Sequence, residues 1–261
     1  VRVHALVIQL GMDDFPVAYP MHGWADGTIT AGGAETIDVD AFAVPSTTTL
    51  SGAMNAPAGF TPYMFEAGVR VSETFTLPLF RVFAPLAATF TNVPVPVFPG
   101  GTYGIYAAAE APSGASSHGW RFGRPGGSST TIDVPSPPVL STPADGAVGI
   151  GAGDTLALAS DPDGAVTFGI RSGLNLAIYV TTMDDRATIP DLSAFGASLP
   201  PSTMYTWQAV VSPGVTTVEG AGVAGYADYL DAVLAFVQGG PSTAGSSDTI
   251  VATDTREFTT P

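Results

Sequence analysis

The chain has 261 residues, with 23 Asp and Glu against eight Arg and no Lys, a net charge of −15, and no Cys. That charge repels phosphate backbones and argues against nucleic acid. The missing Cys excludes disulfides, thiolate metal sites and thiol nucleophiles, and no stretch approaches the about 18 uninterrupted apolar residues of a membrane-spanning helix. Only 12% of residues are charged while 45% are hydrophobic, so there is apolar material for folded cores, and the length suits two modules.

In chain order, the first signal is a duplication. His22-Gly23-Trp24 followed by Thr36-Ile37-Asp38-Val39 returns about 95 residues later as His118-Gly119-Trp120 followed by Thr131-Ile132-Asp133-Val134, and Gly32-Gly33 is answered by Gly126-Gly127. A period of that size marks a complete unit from 41 to 135. It makes residues 1–40 the terminal strands of a preceding or incomplete sandwich module, so the chain is expected to open in mid-domain.

Short Val, Ile, Thr, Phe and Tyr runs alternate with a two-residue period and are broken by Gly, Pro, Asn and Asp, which is the pattern of half-buried strands. From Val69 to Phe83, Val69, Val71, Phe75, Leu77, Leu79 and Phe83 fall on one parity, with Glu73 and Arg81 as exceptions. This predicts a single strand bent at Pro78. The Pro-rich run from Val134 to Pro138 reads as a short stiff linker, because proline rings favour an extended chain and donate no hydrogen bond. In the last third, Tyr226, Tyr229, Leu230, Val233, Leu234 and Val237 recur at three and four residue steps before Gly239-Gly240. These predict one short helix near 226–238.

Leu50-Ser51-Gly52, Gly68-Val69-Arg70-Val71, the run Thr89 to Pro94, and Pro99-Gly100-Gly101-Thr102-Tyr103-Gly104-Ile105 make residues 41–135 similar to transthyretin-like, carboxypeptidase-regulatory-like β-sandwich modules of large bacterial surface proteins. The Asp-x-x-Gly usual in that family is replaced by Pro85-Leu86-Ala87-Ala88. Residues 138–261 resemble fibronectin type III and related immunoglobulin-like modules. The likeness rests on Pro143 to Ala147, Ala165 to Arg171, Leu199 to Val210, and Glu257-Phe258-Thr259. The resemblances imply an all-β chain of two or more tandem β-sandwiches: 1–40 incomplete, 41–135 transthyretin-like, and 136–261 fibronectin-like with the inserted helix.

Catalytic chemistry finds little purchase. The three histidines are His4, His22 and His118, and two sit at equivalent repeat positions, which suits a structural role. Ser117 adjoins His118, yet no Gly-x-Ser-x-Gly elbow exists, so no enzymatic activity and no catalytic residue is expected. Calcium is the one cofactor the sequence leaves open, with Asp161 and Asp163 as candidate oxygen donors on Asp161-Pro162-Asp163-Gly164, a pattern that ordinary turns also use. Trp207 falls on a core strand, whereas Trp24 and Trp120 are candidates for stacking on a sugar or meeting another subunit. The helix is apolar on more than one side, which makes Tyr229 and Phe236 interface candidates.

The expectation is therefore a non-enzymatic extracellular or cell-surface module with an adhesive or structural role, a subunit of a surface filament or complex joined through β-strand edges. Its partners would be other protein chains, including copies of itself. The alternative is a carbohydrate-binding or calcium-dependent accessory module of a secreted enzyme.

Overall fold

The computed structural model describes residues 2–12, 14–28, 30–34, 36–72, 75–83, 87–172, 176–218 and 249–261. Strands β1 (Arg2–Leu10) and β2 (Pro16–Asp26) form an antiparallel hairpin, and β3 (Ala41–Ala43) pairs with the other edge of β2. The first Thr-Ile-Asp-Val, 36–39, forms no strand. This small sheet is anchored by its bulky residues. Tyr19 is buried and its hydroxyl donates to the Leu79 carbonyl at 3.0 Å, while Phe15 packs against Phe80 and Phe90.

The next seven strands build the first sandwich: β4 (Thr47–Asn55), β5 (Thr61–Ser72), β6 (Phe75–Phe83), β7 (Thr89–Pro96), β8 (Thr102–Glu110), β9 (Ser116–Arg124) and β10 (Ser129–Asp133). One sheet has the order β10-β4-β7, the other β6-β5-β8-β9, with Leu50, Phe65, Val95, Ile105 and Ile132 buried between them. The second Thr-Ile-Asp-Val lies in and just beyond β10, which runs parallel to β4. Gly52 makes room for its partner across the β4–β7 ladder: a Cβ there would lie 2.2 Å from the Phe90 ring.

The single bent strand expected over 69–83 is instead a hairpin. Val69 stands opposite Leu77 and Ser72 opposite Phe75, so the chain reverses between β5 and β6. Near the turn, Gly68 opposite Pro78, Val69 opposite Leu77 and Arg70 opposite Thr76 share odd or even parity, and opposed residues point to the same face. The odd-numbered apolar pattern therefore carries from Val69 to Leu77 across the reversal, which hides the turn, and only the register shift at Ala67/Gly68 changes the parity farther out.

The second sandwich contains β11 (Leu140–Thr142), β12 (Ala147–Val148), β13 (Thr155–Leu158), β14 (Gly164–Ser172), β15 (Leu176–Thr182), β16 (Arg186–Thr188), a single 3-10 turn at Ser193–Phe195, β17 (Met204–Pro213), β18 (Thr249–Ala252) and β19 (Arg256–Thr259). The sheet β11-β13-β16 faces one in which β17 is central, flanked by β14 and β19. Leu156, Phe168, Ile170, Tyr205, Trp207 and Phe258 fill the space between, each at most 1% exposed. Burying an aromatic or branched side chain of this size contributes roughly 1.5–3 kcal/mol before entropy is counted. The chain is thus all-β, with sandwich cores, as its alternation and turn residues imply. The helix expected near 226–238 lies outside the described residues.

The two sandwiches are not separate sheets on a tether. β18 pairs antiparallel with β17 on one side and with β9 on the other, giving a continuous ten-stranded sheet. Met64, Tyr106, Ala108 and Trp120 of the first sandwich pack with Val210 and Ala252 of the second along this seam.

Candidate interaction surface

His22 and His118 occupy matching places in two hairpins. Each hairpin turns through a loop closed by a backbone bond, from the Gly11 N–H to the Phe15 carbonyl and from the Ala111 N–H to the Ala115 carbonyl, both 2.8 Å. In β2, His22 stands opposite Leu6 and Trp24 opposite His4; in β9, His118 stands opposite Ala108 and Trp120 opposite Tyr106. The face bearing His and Trp is turned toward neighbouring protein both times. His22 meets the Phe98 ring edge-on at 4.7 Å, and Trp120 packs at the seam with Val210 and Ala252.

The same motif nevertheless gives different exposures. Trp120 is 9% exposed and takes part in packing, whereas Trp24 is 51% exposed. Trp207 is buried in the second core, as a core strand requires. The Arg2 guanidinium lies 3.9 Å over the Trp24 ring and holds Asp26 through two bonds of 2.8 and 2.9 Å. Trp24 also borders a groove of about 490 Å³ with Phe42, Phe98, His22 and Asp40.

His4 Nδ1 and His22 Nε2 are 3.2 Å apart with stacked rings. Burial holds both below the usual histidine range, and for His4 the charges of His22 and Arg2 add to the effect. One ring of the pair must be neutral to accept the shared bond.

His118 is enclosed. Its Nδ1 lies 2.5 Å from the Tyr106 hydroxyl oxygen and its Nε2 3.0 Å from the Ser116 hydroxyl. Burial pushes its pKa down to about 3, so the ring is neutral at ordinary pH. The sequence singled out Ser117, but that hydroxyl donates to the Pro135 carbonyl. A hydroxyl beside an imidazole is half of a nucleophilic site. Here Ser116 and His118 are 5% and 3% exposed, and an imidazole with so low a pKa is a poor proton acceptor.

Asp161 and Asp163 precede Gly164, whose φ of +143° and whose closeness to the Ser212 carbonyl, 2.2 Å from an added Cβ, explain the glycine. The Gly214 N–H donates to the Asp163 carbonyl at 2.9 Å, so this segment works as a strand-opening turn. No cluster of three or more His, Asp or Glu able to hold a metal occurs among the described residues. Asp185 and Arg186 form an exposed pair at 2.9 Å. Tyr229 and Phe236 lie outside the described residues.

The first strand stands out for another reason. Among the described residues β1 has a strand on one edge only, and Val3, Val7, Ile8 and Leu10 are 37–55% exposed. The strand registers place Val3, Ala5, Val7, Met21, Ala25, Ala41 and Ala43 on one face of the three-stranded sheet, without a charge among them. In the second hairpin the equivalent face carries Ile105, Ala107 and Ala109, all fully buried in the first core. Sequence reasoning pointed to open strand edges within residues 1–40 but missed this charge-free face, for which the run Val3 to Leu10 was the signal. It also missed the buried Glu66, held by Arg81 at 2.7 Å, though Arg81 had stood out as an exception to the strand alternation.

No family model and no curated protein matches the chain. Among solved structures, the crystal structure of the FN1–FN3 domains of chicken CNTN1 is similar at 10% identity and a TM-score of 0.21, over 75% of this chain and 72% of that one. A likeness so slight bears on nothing beyond itself, and the β-sandwich assignment rests on the sheets and cores described above.

Proposed function

We propose that the protein is a non-enzymatic structural module of the cell surface or extracellular space that joins a surface filament or complex through β-strand edges. The observation that carries this reading is β1, a nine-residue edge strand with four large apolar residues exposed and, among the described residues, no strand on its outer side. Edges like this recruit other strands unless prolines, lysines or coverage block them, and β1 has neither proline nor lysine. An antibody against the chain, applied to intact cells that express it and to their extracted surface material, should label the surface and a high-mass complex. Label confined to the cell interior would overturn the reading.

A second reading, a carbohydrate-binding module, is supported by the groove beside Trp24, which an exposed indole and Asp40 both line. Arg2 stacked on that indole occupies one of its two faces, which weighs against it. A glycan panel read by tryptophan fluorescence tests it, with a Trp24→Phe control.

A further inference from the structure

We infer that the partner of the β1 edge is β1 of a second copy of this chain, paired antiparallel about a two-fold axis near Leu6; the inference rests on the strand-edge reading above. The second hairpin shows what such an edge accepts. There β8, the counterpart of β1, has its outer edge taken by β5, which runs antiparallel to it.

A second copy offers few edges that fit. Of the edge strands as long as β1, β6 carries Pro78, which cannot donate to a ladder, and Arg81, which is committed to the buried Glu66. Among the described residues, the eight-residue edge β7 carries Pro94 and Pro96, and the edge β15, free of proline and charge, is only seven residues long. The β1 strand has no such interruption.

Charge points the same way. Each copy carries −15, so most surfaces of two copies repel one another. The only charge on β1 is Arg2, which is bound to Asp26 at the strand's end. An antiparallel pair centred on Leu6 sets each Arg2 against the apolar Leu10 of the other copy and brings no like charges together. Ala5 then meets Val7 of the other copy, extending the charge-free face across six strands. The arrangement is isologous and closes at two copies.

One strand pair buries less than the about 1,200 Å² of a stable interface, so the association should be weak and concentration-dependent. Sedimentation of the purified chain from 10 µM to 1 mM, about the range in which weak complexes form, should show a growing dimer fraction. Hydrogen exchange over the same series should show the β1 amides slowing with concentration. Val7→Lys, at a side chain already 45% exposed, should lower the dimer constant at least tenfold while leaving circular dichroism and Tm unchanged. A monomer throughout, or a dimer indifferent to Val7→Lys with unchanged β1 exchange, overturns the inference. If the chain is monomeric but the antibody still finds it in a surface complex, the self-pairing falls alone and the strand-edge reading stands.

Discussion

Val251 is paired with Ser117 across the seam, and on its other side it is paired with Val211. One short strand therefore belongs to both sandwiches. Both Val251 and Ser117 are buried, so the ladder is shielded from competing water. Ala252→Pro removes a donor from this strand and places a ring among Met64, Tyr106 and Trp120. A proline inside a strand paired on both sides removes a ladder hydrogen bond and is tolerated only at edges and bulges. In calorimetry the parent should unfold in one transition and the variant in two, one for each sandwich. A single unshifted transition in the variant would show that the shared strand does not couple them.

His118 makes stability pH-dependent. Its folded pKa, about 3, lies below the 6.5 of the unfolded chain, so between these values the unfolded state binds the proton and the folded state does not. The stabilising difference is fully present above pH 6.5 and is lost as pH falls toward 3. By linkage roughly 2 kcal/mol should disappear between pH 7 and pH 5. Urea titrations across that range should show it, and His118→Gln should flatten the slope even where it lowers stability overall. An unchanged slope in the variant would place the acid sensitivity elsewhere.

In the first sandwich the buried Glu66, with its side chain 1% exposed, is held by the partly exposed Arg81. Desolvation raises the Glu66 pKa against the opposing pull of Arg81. A carboxyl with a raised folded pKa favours folding most when protonated, so its contribution declines as pH rises through that value. Arg81→Met leaves the carboxylate buried without its cation and should cost about 3 kcal/mol at pH 7. Glu66→Gln with Arg81→Met should recover most of the loss, as measured by a double-mutant cycle. If Arg81→Met alone costs less than about 0.5 kcal/mol, the pair is dispensable.

Gly164 opens β14 under the strictest local constraint in the second sandwich. Gly164→Ala forces a Cβ toward the Ser212 carbonyl at a backbone angle that side chains avoid, and should destabilise by more than about 2 kcal/mol. Asp161→Asn and Asp163→Asn, at turn positions before it, should each change stability by less than about 0.5 kcal/mol. Thermal melts with calcium and with chelator should coincide. A calcium-dependent shift abolished by either Asn variant would instead make this turn an ion site.

Local chemistry was legible in the sequence where one residue decides the backbone. The Gly100-Gly101 turn, closed from the Gly101 N–H to the Phe98 carbonyl, sends the chain into β8 where the Pro-Gly-Gly-Thr-Tyr run implied. Trp207 and Phe258 are buried because their strands alternate cleanly. Long-range pairing left no such mark. Nothing in the residues of β18 names β9 as its partner, because a ladder bonds through the backbone, which every residue shares. The two His-Gly-Trp copies show the same limit. Trp24 and Trp120 each follow a His-Gly pair, and their exposure is decided by what each hairpin meets in space.

The shared strand also sets an order of events during synthesis. Thr249 pairs with Gly119, so about 130 residues must leave the ribosome after β9 before its last edge can close. At bacterial or eukaryotic elongation rates that interval is roughly ten seconds, far longer than a small β-domain needs to collapse. Throughout that interval the β9 margin of the nascent chain has no β18 to pair with.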